Sequence, residues 1–255
     1  MMRNHSFLVW VLLLVDGVFA IDEVSVSLMV RDSVTLHSGV TEIQRNEKVL
    51  WNIQGEHKFL AVINKEDNDI SVPGNNDERF KGRLELDDQT GSLTITDTRI
   101  TDSRVYELRI SSSNDIKHKR FNVAVHDEMK TESVKEGKSI TLHTGVVEIR
   151  GYDLILWKFE DYIMARINRT ANRFSLYDSA HGKFKDRLEL HQTGSLTIID
   201  TRTTDSGVYH LNMSSSTHTV QRTFGVTVRG AASGIRGAGV GLVVWAVTAF
   251  LLQDL

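Results

Sequence analysis

Residues 80–106 have the sequence FKGRLELDDQTGSLTITDTRITDSRVY, and residues 184–209 repeat it closely as FKDRLELHQTGSLTIIDTRTTDSGVY. The two copies agree at most positions and differ in length by one residue, beside Asp88. A repeat this close indicates one structural unit made twice, and the spacing leaves each copy long enough to be a domain. The sequence therefore predicts two domains of the same fold in tandem.

Composition excludes several classes of function. The chain has 255 residues, a net charge of −3 and no cysteine. A nearly balanced charge gives no electrostatic reason to expect nucleic acid as a partner. The absence of cysteine removes thiol nucleophiles, redox pairs and cysteine-based zinc sites, and no nucleophile-elbow, P-loop or zincin motif occurs. We expect no catalytic residue, no metal, no cofactor and no small-molecule substrate.

The first twenty residues are typical of a secretory signal peptide. Arg3 precedes an apolar run at residues 7–15, and Val18-Phe19-Ala20 suits cleavage before Ile21. A signal anchor is the alternative, but the apolar run is short for a bilayer span. The sequence predicts removal of residues 1–20 and export of the rest.

The last segment, residues 230–255, favours a lipid anchor. Small residues at 230–234 precede the apolar run VGLVVWAVTAFLL, and the sequence stops at Leu255. This order matches a glycosylphosphatidylinositol (GPI) signal, and Ser233 is our candidate attachment residue. A transmembrane helix is the alternative, although Arg236 interrupts its start and the run falls short of about 20 residues. Either anchor predicts the outer face of the cell membrane.

Between these signals the sequence is typical of β-strands. Short runs rich in Val, Ile, Thr and Leu alternate with polar residues and end in Gly, Asn, Asp or Ser. In each copy a Ser-x-Thr-Leu strand leads to a tryptophan, Trp51 or Trp157, and an Asp-Ser-x-Val-Tyr motif ends at Tyr106 or Tyr209. A strand, a tryptophan on a second strand and a late corner tyrosine form the pattern of an immunoglobulin sandwich.

The predicted fold is all-β, with two tandem V-like immunoglobulin sandwiches at residues 21–126 and 127–229. Neither sandwich has the usual disulfide between its sheets. The cysteine positions hold Ser38 and Leu108 in the first copy. A native disulfide typically stabilises a folded domain by about 2–5 kcal/mol, and burying a leucine side chain in its place contributes roughly 1.5–3 kcal/mol.

Two charged pairs are predicted to lock the sandwiches. Arg83 with Asp102, and Arg187 with Asp205, occupy the positions at which variable-type domains place a bidentate ion pair. We interpret these four residues as structural. His37 and the equivalent His143 alternate outward beside leucines, and we expect both to face solvent.

The run Phe80-Lys81-Gly82-Arg83-Leu84, followed by Gln89-Thr90-Gly91-Ser92-Leu93-Thr94-Ile95, resembles the SLAM family of signalling lymphocyte activation molecules. Within that family it is most similar to short, GPI-anchored members of the bony-fish type. The resemblance implies recognition between immune cell surfaces. It also implies that the first domain binds another immunoglobulin-family protein, or itself, through the sheet of strands G, F, C and C′. One departure is that the second domain repeats the V-like pattern, whereas the family's membrane-proximal domain is a disulfide-bonded C2 type.

Strand parity suggests which side chains that sheet presents. Tyr106 and Leu108 are expected to point into the core, so their neighbours point outward. The candidate partner-binding residues, including those on adjoining strands and loops, are Asn52, Lys58, Lys65, Glu66, Glu107, Arg109, Lys117 and Lys119.

Two asparagines of the second copy are N-glycosylation acceptors. Asn168 begins Asn-Arg-Thr and Asn212 begins Asn-Met-Ser. A glycan on Asn212 would cover the second domain's sheet, which favours the first domain for partner binding. The sequence thus predicts a cell-surface adhesion or immune receptor or ligand; the alternative is a secreted soluble decoy of the same receptor family.

Overall fold

The structure is a computed structural model that describes residues 22–127, 132–146, 149–177 and 182–230. The predicted signal peptide and the predicted anchor segment with Ser233 lie outside the described residues. Within the described ranges, no helix has the length and apolar character needed to cross a membrane.

Strands dominate both copies. In the first copy they are β1 (Asp22–Met29), β2 (Ser33–Leu36), β3 (Lys48–Ile53), β4 (Phe59–Asn64), β5 (Asp69–Ser71), β6 (Leu84–Leu86), β7 (Leu93–Ile95), β8 (Arg104–Ser111) and β9 (Ile116–His126). In the second they are β10 (Glu132–Lys135), β11 (Ile140–Leu142), β12 (Leu154–Phe159), β13 (Tyr162–Asn168), β14 (Arg173–Leu176), β15 (Leu188–Leu190), β16 (Leu196–Ile198), β17 (Gly207–Ser214) and β18 (His218–Arg229). Short 3-10 helices span Pro73–Asn76, Ile100–Asp102, Ile149–Gly151 and Thr203–Asp205.

Each copy is a sandwich of two sheets. In the first domain, one sheet has the order β1-β9-β8-β3-β4-β5 and the other is β2-β7-β6. In immunoglobulin notation these are strands A′, G, F, C, C′ and C″ against B, E and D. The second domain repeats the plan, with β10 and β18-β17-β12-β13-β14 facing β11-β16-β15. The predicted all-β tandem fold is confirmed.

The core follows the alternation that the sequence predicts. Trp51 and Trp157 are fully buried, and Trp51 lies opposite Leu108 on the neighbouring strand, as Trp157 lies opposite Leu211. Phe121 packs against Trp51 with ring centroids 5.6 Å apart. Leucine and aromatic side chains therefore fill the space in which other immunoglobulin domains hold a disulfide.

The repeated Thr-Gly-Ser turn is bonded to this core in the same way in both domains. The Trp51 indole N–H donates to the Gly91 carbonyl at 2.8 Å, and the Trp157 indole N–H donates to the Gly194 carbonyl at 2.8 Å. At a former cysteine position, the Ser38 hydroxyl donates to the Thr90 carbonyl at 2.5 Å.

The second domain has the same arrangement, because the Thr144 hydroxyl donates to the Thr193 carbonyl at 2.9 Å. A hydroxyl at this position donates a hydrogen bond to a buried carbonyl, to which a thiol would be a weaker donor. The close match of the two copies over this turn therefore has a structural cause.

The two domains are joined edge to edge by a strand pairing. Because β1 pairs in parallel with β9, the edge of β2 is left open within its own domain. In the second domain, β10 covers only residues 226–229 of β18. The two open edges pair with each other: residues 33–36 of β2 run antiparallel to residues 218–221 of β18. The second domain's front sheet thus continues into the back sheet of the first.

Candidate binding face of the first domain

Four neighbouring strands, β9, β8, β3 and β4, build the outer face of the first domain's larger sheet. Their registers place Asn52 beside Glu107, Glu107 beside Arg120, and Arg109 beside His118. Since successive side chains of a strand alternate between faces, these five side chains point away from the core. We call this surface the front face.

A polar network fixes the centre of the front face. The Arg120 Nε donates to Glu107 Oε1 at 2.9 Å, and the Asn52 amide donates to Glu107 Oε2 at 3.2 Å. Both carboxylate oxygens of Glu107 are therefore engaged within the domain. Arg109 is exposed beside this network and can take a ligand contact of its own. Glu107 organises the face, while Arg109 is presented by it.

Apolar side chains border the polar centre. Leu50 and Val62 are half-buried partners on β3 and β4, and Phe59 at the start of β4 leaves 44% of its surface exposed beside Asn52. Aromatic and arginine side chains are enriched in protein–protein interfaces. The face therefore presents a candidate anchor, Phe59 on β4, and an exposed cation, Arg109 on β8.

The structure brings together only part of the predicted set. Asn52, Glu107 and Arg109 lie on the front face, but Lys65 and Glu66 are in the turn between β4 and β5, and Lys58 precedes β4. These three residues lie in the loops at the two ends of β4, at the border of the face. Their part in binding remains a prediction.

Lys117 and Lys119 do not lie on the front face. Lys117 pairs with Ile110 and Lys119 with Leu108, so both have the parity of inward-pointing residues. The Lys119 ammonium lies 5.3 Å from the Phe121 ring centre and 3.4 Å from the His37 carbonyl, at the junction of the two domains. Burial lowers the pKa of Lys119. The structure thus places Lys119 on the opposite side of the sheet from the predicted site.

His118 and Arg120 are front-face residues that the sequence analysis missed. Their signal was present in the alternation on β9, since Phe121 and Val123 are buried and the residues of opposite parity face outward. The error came from assigning the lysines of this strand by their charge rather than by their parity.

The repeated charged pairs lie at the lower end of each sandwich, remote from the front face. The Arg83 guanidinium donates to both Asp102 carboxylate oxygens, at 2.7 and 2.9 Å, and the Arg187–Asp205 pair has distances of 2.7 and 3.0 Å. The hydrogen bonds from Arg83 to Asp102 raise the arginine pKa. The Tyr106 hydroxyl donates to the Asp102 carbonyl at 3.0 Å. This arrangement is the tyrosine corner of immunoglobulin sandwiches.

In the second domain a predicted glycosylation acceptor occupies the place of the cationic front-face residue. Leu211 is equivalent to Leu108, so Asn212 corresponds to Arg109. Asn212 is half-buried and its side-chain oxygen accepts from the Ser214 hydroxyl at 2.9 Å. Asn168 ends β13 at the far side of the same sheet. The two front sheets therefore share a backbone but present different chemistry.

Comparison with known proteins supports the fold of the first domain. The pattern of the immunoglobulin V-set domain matches residues 21–126. This domain type is typical of receptors and adhesion proteins rather than enzymes. No curated protein sequence matches the chain.

Three solved structures illustrate the likeness in fold. Murine CEACAM1b is 17% identical with a TM-score of 0.32, and the match covers 80% of this chain and 96% of that one. CD84 of the SLAM family is 20% identical with a TM-score of 0.35, covering 41% of this chain and 100% of that one. The CD2-binding domain of CD58 is 16% identical with a TM-score of 0.32, covering 80% of this chain and 98% of that one. At these identities the comparisons concern the immunoglobulin fold alone.

Proposed function

We propose that the protein is a cell-surface adhesion or immune receptor or ligand that binds another immunoglobulin-family surface protein through the front face of its first domain. The single observation that carries the proposal is the composition of that face. It combines the exposed Phe59, the exposed Arg109 and the hydrogen-bonded Glu107–Arg120 pair on one sheet. Aromatic side chains and arginine are enriched in protein–protein interfaces relative to the rest of the surface.

The charge of the face suggests the chemistry of the partner. Its outward side chains include the cations Arg109 and Arg120, with His118 between them in register, against the single central carboxylate of Glu107. Complementary charges on two partners raise the rate of association and fix their relative orientation. We therefore propose a partner face that carries carboxylates. The same excess of cations disfavours binding of the face to a second copy of itself.

The second domain supports this assignment by contrast. A glycan on Asn212 would stand at the position that Arg109 holds in the first domain. A bulky, hydrated sugar there would hold a partner away from the sheet. We propose that the second domain, with limits 127–229, carries the first domain, with limits 21–126, outward from the membrane. The GPI anchor, with Ser233 as its attachment residue, is part of this proposal.

Binding can be tested with a matched pair of charge reversals. Multivalent protein carrying both domains would be screened against a library of immunoglobulin-family surface proteins, and each hit remeasured with variants. Arg109→Glu should weaken binding about tenfold or more, because it places a carboxylate against the proposed acidic partner. Lys81→Glu reverses another exposed cation, outside the front face, and should leave the affinity unchanged.

The two variants also separate failure of the face from failure of the fold. Surface expression and thermal unfolding of both should match the original protein, since both side chains are exposed. Equal binding by Arg109→Glu and the original protein would show that the front face is not the site. Phospholipase treatment of expressing cells tests the anchor separately, because a GPI-linked protein would be released.

A further inference from the structure

The junction between the domains contains a cluster of buried polar groups that the proposed binding function does not use. We call it the seam and define it as residues 32–37 at β2 and residues 217–222 at β18. Four residue pairs form its antiparallel ladder, and the His37 amide extends it by donating to the Thr217 carbonyl at 2.9 Å. Val34 and Val220, which face each other, are fully buried. The seam is therefore a closed interface and not a loose contact.

One ion pair closes one end of the seam. The Arg222 guanidinium donates to the Asp32 carboxylate at 2.9 and 2.6 Å and to the Thr144 carbonyl at 2.6 Å. Asp32 is 1% exposed and Arg222 is 8% exposed. A buried pair of this kind contributes more to orientation than to stability, because desolvation offsets the attraction. The pair thus fixes how the two edges meet.

Two histidines occupy the other end. The His37 Nε2 lies 3.0 Å from the Thr219 hydroxyl across the seam. His218 is 6% exposed, and its ring packs edge-on against Tyr152 with centroids 5.4 Å apart. The His218 Nδ1 lies 3.0 Å from the Thr217 hydroxyl. Both imidazoles are held in place by neutral hydroxyl groups.

The charges that face these histidines are predominantly positive. For His218 they are His37 and then Lys119 on β9, and for His37 it is Lys119; the Arg222–Asp32 pair lies at the other end of the seam. Lys119 has one carboxylate nearby, the exposed Asp22 at 3.9 Å. A proton added to either imidazole would therefore meet like charge, in a buried site at His218 and in a half-buried site at His37.

Burial, followed by the charges of His37 and Lys119, lowers the pKa of His218 from 6.5 to about 4. Burial and then Lys119 also lower the pKa of His37. A histidine whose pKa is lowered in the closed state stabilises that state when neutral. Its contribution is complete above the ordinary value of 6.5 and is lost as the pH falls towards the lowered value.

We propose that the seam is an acid-labile joint: it holds the two sandwiches in one fixed arrangement at neutral pH, and it opens when His218 and His37 take up protons while each sandwich stays folded. Each sandwich keeps its own sheets and core, because β2 remains paired with β7 and β18 with β17 when the seam parts. If opening exposes the His218 ring, its protonation alone raises the opening equilibrium by roughly 80-fold between about pH 8 and about pH 4.5. His37 adds to that change.

The absence of cysteine allows a direct measurement. Protein carrying both domains, with Asp88→Cys and Lys185→Cys on exposed turns of the two sandwiches, would be spin-labelled and its interlabel distances recorded from about pH 8 to about pH 4.5. We expect a single narrow distribution at neutral pH and a broad one at acid pH. Circular dichroism and tryptophan fluorescence of the same samples should stay unchanged, which would show that both sandwiches remain folded.

Variants decide whether the histidines are responsible. His37→Gln should shift the opening to lower pH, and the double variant with His218→Gln should abolish the response. His210→Gln removes a histidine on the outer side of β17 and should leave the response intact. Asp32→Asn should give the broad distribution of interlabel distances at neutral pH. This variant therefore provides a reference for the open joint if the joint does not close in the His218→Gln variant.

Three outcomes would overturn the proposal. The first is a narrow distribution that persists to about pH 4.5, a range over which an ordinary histidine would become fully charged. The second is a broadening that occurs only together with loss of the circular dichroism signal. The third is an unchanged acid response in the double histidine variant.

Discussion

The repeated Arg–Asp pair makes a quantitative prediction for Asp102→Asn. The change removes the charge that faces Arg83, which is 5% exposed and cannot give up its proton. Removing one partner of a buried pair costs about 3–5 kcal/mol, because the remaining charge stays desolvated. Arg83 also donates to the carbonyls of Thr96 and Asp97, both at 3.1 Å, and these bonds survive. We therefore expect the lower end, about 3 kcal/mol of unfolding free energy.

That loss corresponds to a fall in melting temperature of about 15 °C for a domain of this size. Denaturation by urea, followed by tryptophan fluorescence, measures it, since each domain has one buried tryptophan. Asp205→Asn should have the same effect, because its ion pair has the same geometry. Asp97→Asn is the control: its carboxylate is 59% exposed, so less than about 0.5 kcal/mol should be lost. A loss below about 1 kcal/mol for Asp102→Asn would refute the assignment of these pairs as locks.

Two further changes test the turn and the glycans. Gly91→Ala should lower the thermal stability of the first domain by more than Gly55→Ala does. Both glycines have positive φ, but a Cβ at Gly91 would lie 3.2 Å from two core side chains, whereas a Cβ at Gly55 would meet open space. Equal losses of stability would contradict the close packing of this turn. Asn168→Gln and Asn212→Gln should each increase electrophoretic mobility by one glycan when the protein is made in a secretory system, whereas no shift for Asn212→Gln would remove the argument from glycan shielding.

Much of the fold was predictable because its signals are local. Alternation along β8 placed Tyr106 and Leu108 in the core and Glu107 and Arg109 outside, as the structure has them. Strand parity is written in consecutive residues, so it can be read without knowing the fold. The ion pair of Arg83 with Asp102 was predicted instead from the resemblance to variable-type immunoglobulin domains, because 19 residues separate its partners.

The candidate site was predictable only in part. Asn52, Glu107 and Arg109 belong to strands whose parity is set by a neighbouring buried residue. The partners of Glu107 across β9 were missed, and Lys119 was assigned to the wrong side. Register between strands that are distant in sequence depends on how the whole sheet assembles.

The sequence alone determined the repeat, the immunoglobulin sandwich, the positions of Trp51 and Trp157, and the exclusion of thiol chemistry. Only the tertiary structure decided the seam, and it overturned the expectation that His37 faces solvent, although His143 is exposed as expected. The physical reason is that an open strand edge is a property of the assembled sheet: β2 is open because β1 crossed to β9, and β18 is open because β10 is short.

A faint signal of the seam is nevertheless present in the two copies. Asp32 corresponds to Lys138 and Arg222 to Lys119, so of the two positions that meet across the junction the copies differ in the sign of the charge at the first and agree at the second. The ion pair can therefore form between β2 and β18, whereas the reverse pairing would oppose two lysines. Without the structure, nothing shows that these positions face one another, since 190 residues separate Asp32 from Arg222 along the chain.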